Sequence, residues 1–129
     1  MKNLPYFLIP ILFAISLFAS TYTEPERIKY INYEDIDRVV NVNGVVVIEL
    51  WASWNDDNAY DIDRLYGCSV YRIDVDENPR AIEAYGVYSL PTVLFYLNGE
   101  FQFKDESDIT YKAKEDLRHL QEHVNELNQ

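Results

Sequence analysis

The chain has 129 residues, of which 48% are hydrophobic and 15% aromatic, so it is long enough for one domain with its own core and too apolar for a disordered segment. Its 22 acidic and 11 basic residues give a formal net charge of −11. Such a surface repels nucleic-acid phosphates and anionic lipid head groups, and we therefore expect no nucleic-acid partner.

The N-terminal segment differs in composition from the rest of the chain. Lys2 precedes a mostly apolar run over residues 4–19, which is the layout of a secretory signal peptide with a weak cleavage site. If it is uncleaved, residues 1–22 form a membrane anchor, the chain's one expected contact with a membrane. We predict an N-terminal hydrophobic helix over residues 1–19 that acts as signal peptide or uncleaved anchor. A linker over 20–27 and one domain over 28–129 follow, and we place the domain outside the cytoplasm, in the periplasm.

The first half of the domain alternates strands and helices. Residues 28–31 predict a strand, and residues 32–40 predict a helix that Asn32 caps and that carries acidic residues in its first turn. The β-branched run 45–51 is typical of a central strand that is buried on both faces. A short helix is predicted over residues 57–66, with a glycine after it as the stop signal.

The second half ends in a hairpin and a helix. The patterns predict a strand, a helix, two strands and a final helix, over residues 69–75, 80–85, 92–97, 100–104 and 110–127. Asn98-Gly99 is the favoured pair for a type I′ hairpin turn. The element order is therefore βαβαβαββα, in which alternation implies parallel strands and the hairpin adds antiparallel ones.

Several short motifs, taken in order, resemble those of thioredoxins. They are Trp51-Ala52-Ser53-Trp54, Asp76-Glu77-Asn78-Pro79, Tyr85-Gly86-Val87, Leu90-Pro91-Thr92 and Asn98-Gly99-Glu100. Each motif is weak alone, and the ordered set is specific. The resemblance extends over residues 28–127 and implies an α/β fold, a three-layer α/β/α sandwich with a central mixed sheet.

The Cys-x-x-Cys motif of that family is absent. Its two cysteine positions fall on Asn55 and Asn58, and an amide cannot replace a thiolate in disulfide exchange. We therefore predict a divergent, redox-inactive member that is not an enzyme and has no cofactor. Only 19 residues separate Trp54 from Asp74, so the segment after the motif is shorter than the family pattern.

The resemblance also implies a groove for extended polypeptide beside a cis proline, here Pro91. The backbone of Leu90 would pair with the bound peptide as an added strand. We predict a protein or peptide partner and a chaperone-like or assembly role, with a groove formed by Trp51, Trp54, Asn55, Asp56, Asp57, Asn58, Leu90 and Pro91. A second interpretation, in which Pro91 serves only a tight turn, stays open.

Two further side chains have alternative roles. Glu49 corresponds to a buried acid of the family; desolvation raises the pKa of such a carboxyl, and without cysteines we interpret it as a structural hydrogen-bonding group. Cys68 is the only cysteine and is expected to be a small buried hydrophobe. Two other functions are alternatives to peptide binding. The protein could be a single-thiol redox enzyme that uses Cys68, or a membrane-anchored structural subunit of a larger complex.

Two clusters of metal-ligand residue types are weak candidates. The acidic cluster lacks the spacing of a calcium loop, and it consists of Asp56, Asp57, Asp61 and Asp63. His119 and His123 have helical i,i+4 spacing without a glutamate between them in a His-Glu-x-x-His motif, and we expect them to face solvent. We predict no metal site, and the sequence leaves the oligomeric state open.

Overall fold

The computed structural model describes residues 28–106 and 117–129. The predicted signal or anchor over 1–19, the linker over 20–27 and the start of the last predicted helix lie outside the described residues. The domain boundaries therefore stay predictions. Within the described ranges, no helix has the length and apolar character needed to cross a membrane.

The described part of the chain contains five strands and three α-helices. The strands are β1 (Lys29–Tyr30), β2 (Val45–Trp51), β3 (Cys68–Asp74), β4 (Thr92–Leu97) and β5 (Glu100–Glu106), and the helices are α1 (Ile36–Val40), α2 (Pro79–Tyr85) and α3 (Arg118–Leu127). The strands form one sheet in the order β1-β3-β2-β4-β5. β3 runs parallel to β1 and β2, whereas β4 is antiparallel to β2 and β5. The predicted mixed sheet is confirmed.

Strand β2 lies at the centre of the sheet and is buried on both faces. One face packs Ile48 and Leu50 against Val39 of α1 and Ala81 of α2. On the other face, Val47 of β2 and Phe95 of β4 pack against Leu120 and Val124 of α3. Helices therefore cover both faces of the sheet, as the three-layer prediction requires, and burial on both faces explains why β2 is an uninterrupted apolar run.

The β4–β5 hairpin has the predicted turn. Asn98 has a φ of 52° and Gly99 a φ of 87°. A type I′ turn requires positive φ at both central residues, a conformation that asparagine and glycine adopt most readily. The Asn98 side-chain oxygen also accepts a 2.7 Å hydrogen bond from the Gly44 N–H, which ties the hairpin to the loop before β2.

The predicted helix over residues 57–66 is wrong. The connection from β2 to β3 consists of two short 3₁₀ turns, Ser53–Asn58 and Ile62–Arg64, with extended backbone at Ala59 between them. The side chains of Ile62 and Leu65 are fully buried in the sheet core. Extended backbone at Ala59 and at Leu65 limits the second turn to three residues, so no α-helix forms between β2 and β3.

Candidate functional site

The candidate groove lies at the end of the sheet where β2 terminates. Trp51, the last residue of β2, is opposite Asp74, the last residue of β3. Leu50 is opposite Thr92, the first residue of β4. The residues that follow β2 and β3 and those that precede β4 therefore meet at one edge, which brings Asn55 next to Leu90.

Two asparagine side chains connect the 3₁₀ turn to the loop before β4. The Asn58 side-chain Nδ2 donates to Asn55 Oδ1 at 2.7 Å. Asn55 Nδ2 in turn donates to the Leu90 carbonyl oxygen at 3.0 Å. Both side chains are half-buried, and the Leu90–Pro91 peptide bond is cis. A chain of two hydrogen bonds therefore stands where the family motif places two thiols.

The two backbone polar groups of Leu90 differ in their partners. Its carbonyl oxygen accepts the hydrogen bond from Asn55. No residue within 28–106 or 117–129 accepts a hydrogen bond from its N–H. Buried backbone donors are nearly always paired in folded proteins. The Leu90 N–H is thus a donor for which the described part of the chain supplies no acceptor, although Leu90 itself is buried.

Two indole rings lie on the β2–β3 side of this edge. Trp51 is half-buried, and its Nε1 donates to Asp56 Oδ1 at 2.9 Å. Trp54 is 68% exposed, and its Nε1 lies 3.4 Å from Asp76 Oδ1. Asp57 is exposed beside them. Each indole N–H therefore faces a carboxylate, while most of the Trp54 ring contacts solvent.

Beneath the groove, Glu49 forms a buried ion pair that sequence reasoning missed. Arg72 Nε donates to Glu49 Oε1 at 2.7 Å, and the Tyr60 N–H donates to Glu49 Oε2 at 2.7 Å. Arg72 Nη2 also donates to the Tyr60 carbonyl at 3.0 Å. The predicted buried acid is confirmed as buried, but it is not a lone carboxyl. The β2–β3 register places Arg72 directly opposite Glu49, and this register is known only from the structure.

Burial sets the protonation behaviour of this pair. Desolvation raises the pKa of Glu49 to about 7, while the nearby charge of Arg72 and the hydrogen bond from Tyr60 act in the opposite direction. The Arg72 guanidinium also lies over the rings of Tyr30 and Trp51, at 5.8 and 5.6 Å from their centroids. The pair holds both backbone polar groups of Tyr60, so it fixes the connection that carries Asn55.

Cys68 lies away from the groove. It begins β3 and is opposite Val45, the first residue of β2, whereas the groove lies at the other end of both strands. The seven residues of β3 span six steps from one end to the other, about 20 Å at the usual rise of a strand. Cys68 is half-buried and packs against the core on the α3 face, which agrees in part with the expectation of a small buried hydrophobe.

The two histidines do not face solvent as expected. His119 Nε2 and His123 Nε2 lie 3.4 and 3.2 Å from the same oxygen, Asp105 Oδ2 of β5. The ring of His123 also contacts those of Phe95 and Phe103. Among the described residues no group of three His, Cys, Asp or Glu side chains is arranged to hold a metal ion. The histidines instead connect α3 to β5.

The strand order, the two helical layers and the loop before β4 beside the β2–β3 connection define a thioredoxin-fold protein. A mutant thioredoxin of Halobacterium salinarum superposes with a TM-score of 0.65 at 23% identity, covering 84% of this chain and 96% of the other. The thioredoxin of Malassezia sympodialis superposes with a TM-score of 0.62 at 22% identity, again covering 84% and 96%.

Sequence comparison gives the family. Thioredoxin of Bacillus subtilis is 34% identical over 85 residues, which cover 60% of this chain and 79% of the relative. Thioredoxin of Listeria monocytogenes is 32% identical over 82 residues, covering 57% and 77%. No family model matches the sequence. The chain belongs to the thioredoxin family, as a divergent member with one cysteine and with asparagines at the Cys-x-x-Cys positions.

Proposed function

We propose that this protein is a redox-inactive thioredoxin-family domain that binds extended polypeptides in a chaperone-like or assembly role. The observation that carries the proposal is the Leu90 N–H, which no described residue accepts, on the same edge as the exposed ring of Trp54. An open backbone donor next to an exposed aromatic ring suits an extended chain, which supplies backbone acceptors and side chains together.

The two groups have different roles in binding. A carbonyl of the peptide accepts the hydrogen bond from Leu90 N–H and fixes the peptide backbone on the sheet edge. An apolar side chain of the peptide packs on Trp54, because a large aromatic surface supplies much of the energy at such contacts. The Leu90 carbonyl already accepts from Asn55, so the peptide gains one backbone hydrogen bond there in place of two.

The absence of dithiol chemistry follows from the residue types. Reduction of a disulfide by this family's route requires two thiols close together, and the chain has a single cysteine. That cysteine starts β3, at the end of the sheet remote from Asn55 and Leu90. Neither Asn55 nor Asn58 can form a mixed disulfide, and we therefore assign the domain a binding role without catalysis.

A location outside the cytoplasm is the second part of the proposal. It is supported by the lysine and the apolar run at the start of the chain, which have the layout of a secretory signal. N-terminal sequencing of the native protein, together with fractionation of the cells, tests it. A chain that begins at Met1 in the cytoplasmic fraction would contradict both the cleavage and the location.

Binding is tested with extended peptides that carry one central apolar residue. Titrated against the wild type, these peptides are expected to change the tryptophan fluorescence or the anisotropy of a peptide label. Trp54→Ala should weaken binding about tenfold or more, as for other central aromatic anchors. Tyr66→Ala is the matched control, because Tyr66 is 65% exposed against 68% for Trp54 and its amide pairs with Gln121 of α3. Equal binding by both variants and the wild type would overturn the proposal.

A further inference from the structure

We infer that the polypeptide segment which this groove prefers is basic, with lysine or arginine on either side of the apolar residue that contacts Trp54. The inference rests on the proposed peptide-binding function and names the chemistry of its partner. It follows from the distribution of paired and unpaired carboxylates around the groove, and not from the net charge of the chain alone.

Five carboxylates lie at or just after the ends of β2 and β3 and so share the groove edge: Asp56, Asp57, Asp74, Asp76 and Glu77. No described lysine or arginine forms an ion pair with any of them. Four acidic residues outside this set are paired with arginine or lysine, namely Glu34, Asp35, Glu49 and Glu106. Exposed carboxylates elsewhere, such as Asp37, Glu83 and Glu122, also have no lysine or arginine partner among the described residues, but the five at the binding edge share one end of the sheet with Trp54.

The acidic groups are held close to the aromatic anchor. Asp76 Oδ1 lies 3.4 Å from the Trp54 indole nitrogen, and the Asp76 N–H donates to Asp74 Oδ1 at 3.0 Å. Asp56 accepts from Trp51 at 2.9 Å. A cation on a peptide that packs against Trp54 would thus meet carboxylates that already have fixed positions, which lowers the ordering cost of each ion pair.

The cation on the opposite side of the groove is already neutralised. Lys104 forms an ion pair with Glu106, which lies opposite Thr92 at the start of β4, and also donates to the carbonyl oxygens of Tyr85 and Gly86. Glu106 in turn accepts the backbone N–H of Tyr88 at 3.0 Å. Lys104 therefore adds little positive potential that would repel a basic peptide, and an acidic peptide would meet like charge on the β2–β3 side.

Three peptides of equal length test the inference. Each has the same central leucine, and the residues on both sides are lysine, glutamine or glutamate. The wild type should bind the lysine peptide about tenfold or more tightly than the glutamine peptide and should bind the glutamate peptide least. The preference should shrink as salt is raised from low to physiological ionic strength, because exposed charges are screened. Equal affinity for the lysine and glutamine peptides would overturn the inference and leave peptide binding itself intact.

Charge-neutralising variants test which carboxylates cause the preference for the lysine peptide. D57N/D76N/E77Q should lose most of the preference for the lysine peptide over the glutamine peptide, measured as the ratio of the two affinities within the same variant. The matched control, D37N/E83Q/E122Q, removes three charges from exposed positions outside the five carboxylates and should leave the preference unchanged. An equal loss in the control would contradict the inference, because it would assign the effect to the net charge. Competition by spermine as effective as that of the lysine peptide would also contradict it, since spermine has charge without a backbone or a leucine.

Discussion

Asn58 donates a 2.7 Å hydrogen bond to Asn55, so the two side chains that replace the family's cysteines still contact one another. Asn55 then donates to the carbonyl of Leu90 at 3.0 Å. The polar contact joins the 3₁₀ turn to the loop before β4 without covalent chemistry. The site has kept the proximity of the two positions and lost their reactivity.

Restoring two thiols should restore disulfide formation. The side chains at 55 and 58 hydrogen-bond to each other, so the two positions face one another, as two cysteines must in order to form a disulfide. We expect N55C/N58C in a C68S background to form an intramolecular disulfide on mild oxidation, measured by thiol titration. Disulfide reduction in an insulin assay should then exceed that of the wild type, for which we expect none above the uncatalysed rate.

The single variant N55C in the same background is the control and should form no intramolecular disulfide. Two thiols that stay reduced in N55C/N58C under oxidation would contradict the proximity of the two positions. Insulin reduction by the wild type that survives C68S would contradict the redox-inactive assignment.

Removing the Asn55 side chain should strengthen peptide binding and weaken the fold. Asn55→Ala frees the Leu90 carbonyl for a second backbone hydrogen bond with the peptide, which at about 1 kcal/mol corresponds to roughly fivefold in affinity. The free energy of unfolding should fall by about 1–3 kcal/mol, because two hydrogen bonds are lost. Peptide titration and urea unfolding measure the two effects. Asn58→Ala is the control: it leaves the hydrogen bond from Asn55 to Leu90 intact and should not raise the affinity. Weaker peptide binding by Asn55→Ala would show that Asn55 and the peptide do not compete for the Leu90 carbonyl.

The stability of the fold should depend on Glu49 between about pH 4.5 and 7. Burial raises the pKa of Glu49 from its ordinary value of 4.5 to about 7, so over this interval the folded chain binds more protons at this site than the unfolded chain. The contribution of Glu49 to stability is therefore fully present below pH 4.5 and is lost as the pH rises through 7. The loss is on the order of 3 kcal/mol, with Arg72 partly neutralising the charge that forms.

Urea unfolding at several pH values between 4.5 and 8 measures this dependence. Glu49→Gln cannot ionise and should show a flatter profile than the wild type, whatever its absolute stability. Glu122→Gln, at an exposed position on α3, is the control and should keep the wild-type slope. A wild-type slope in Glu49→Gln would show that the pKa of Glu49 is not raised.

The short connection between β2 and β3 should depend on one apolar side chain. Ile62 is fully buried against the sheet. Ile62→Ala should lower the free energy of unfolding by about 2–4 kcal/mol, because it removes buried methyl groups and leaves a cavity. Ile62→Val should cost about 0.5–1.5 kcal/mol. Asp61→Ala, at the exposed neighbouring position, is the control, and a cost for Ile62→Ala no larger than for Asp61→Ala would contradict this packing.

Several elements could be read directly from the sequence because their signals are local. The apolar run 45–51 and the pair Asn98-Gly99 predict β2 and the hairpin turn, since strand burial and positive φ each select particular residue types. The presence of a single cysteine likewise excludes a dithiol without any coordinates. By contrast, the helix predicted over residues 57–66 is wrong, because the buried contacts that Ile62 and Leu65 make with the sheet are not visible in the local sequence.

By itself, the sequence determined the family, the order of the strands, and the loss of the two thiols. Only the tertiary structure decided that Glu49 pairs with Arg72, that Asn55 donates to the carbonyl of Leu90, and that Asp76 lies beside Trp54. The reason is physical. Secondary structure follows from local backbone preference and periodic burial, whereas these contacts join residues that are distant in the chain and depend on strand register and on distances of about 3 Å.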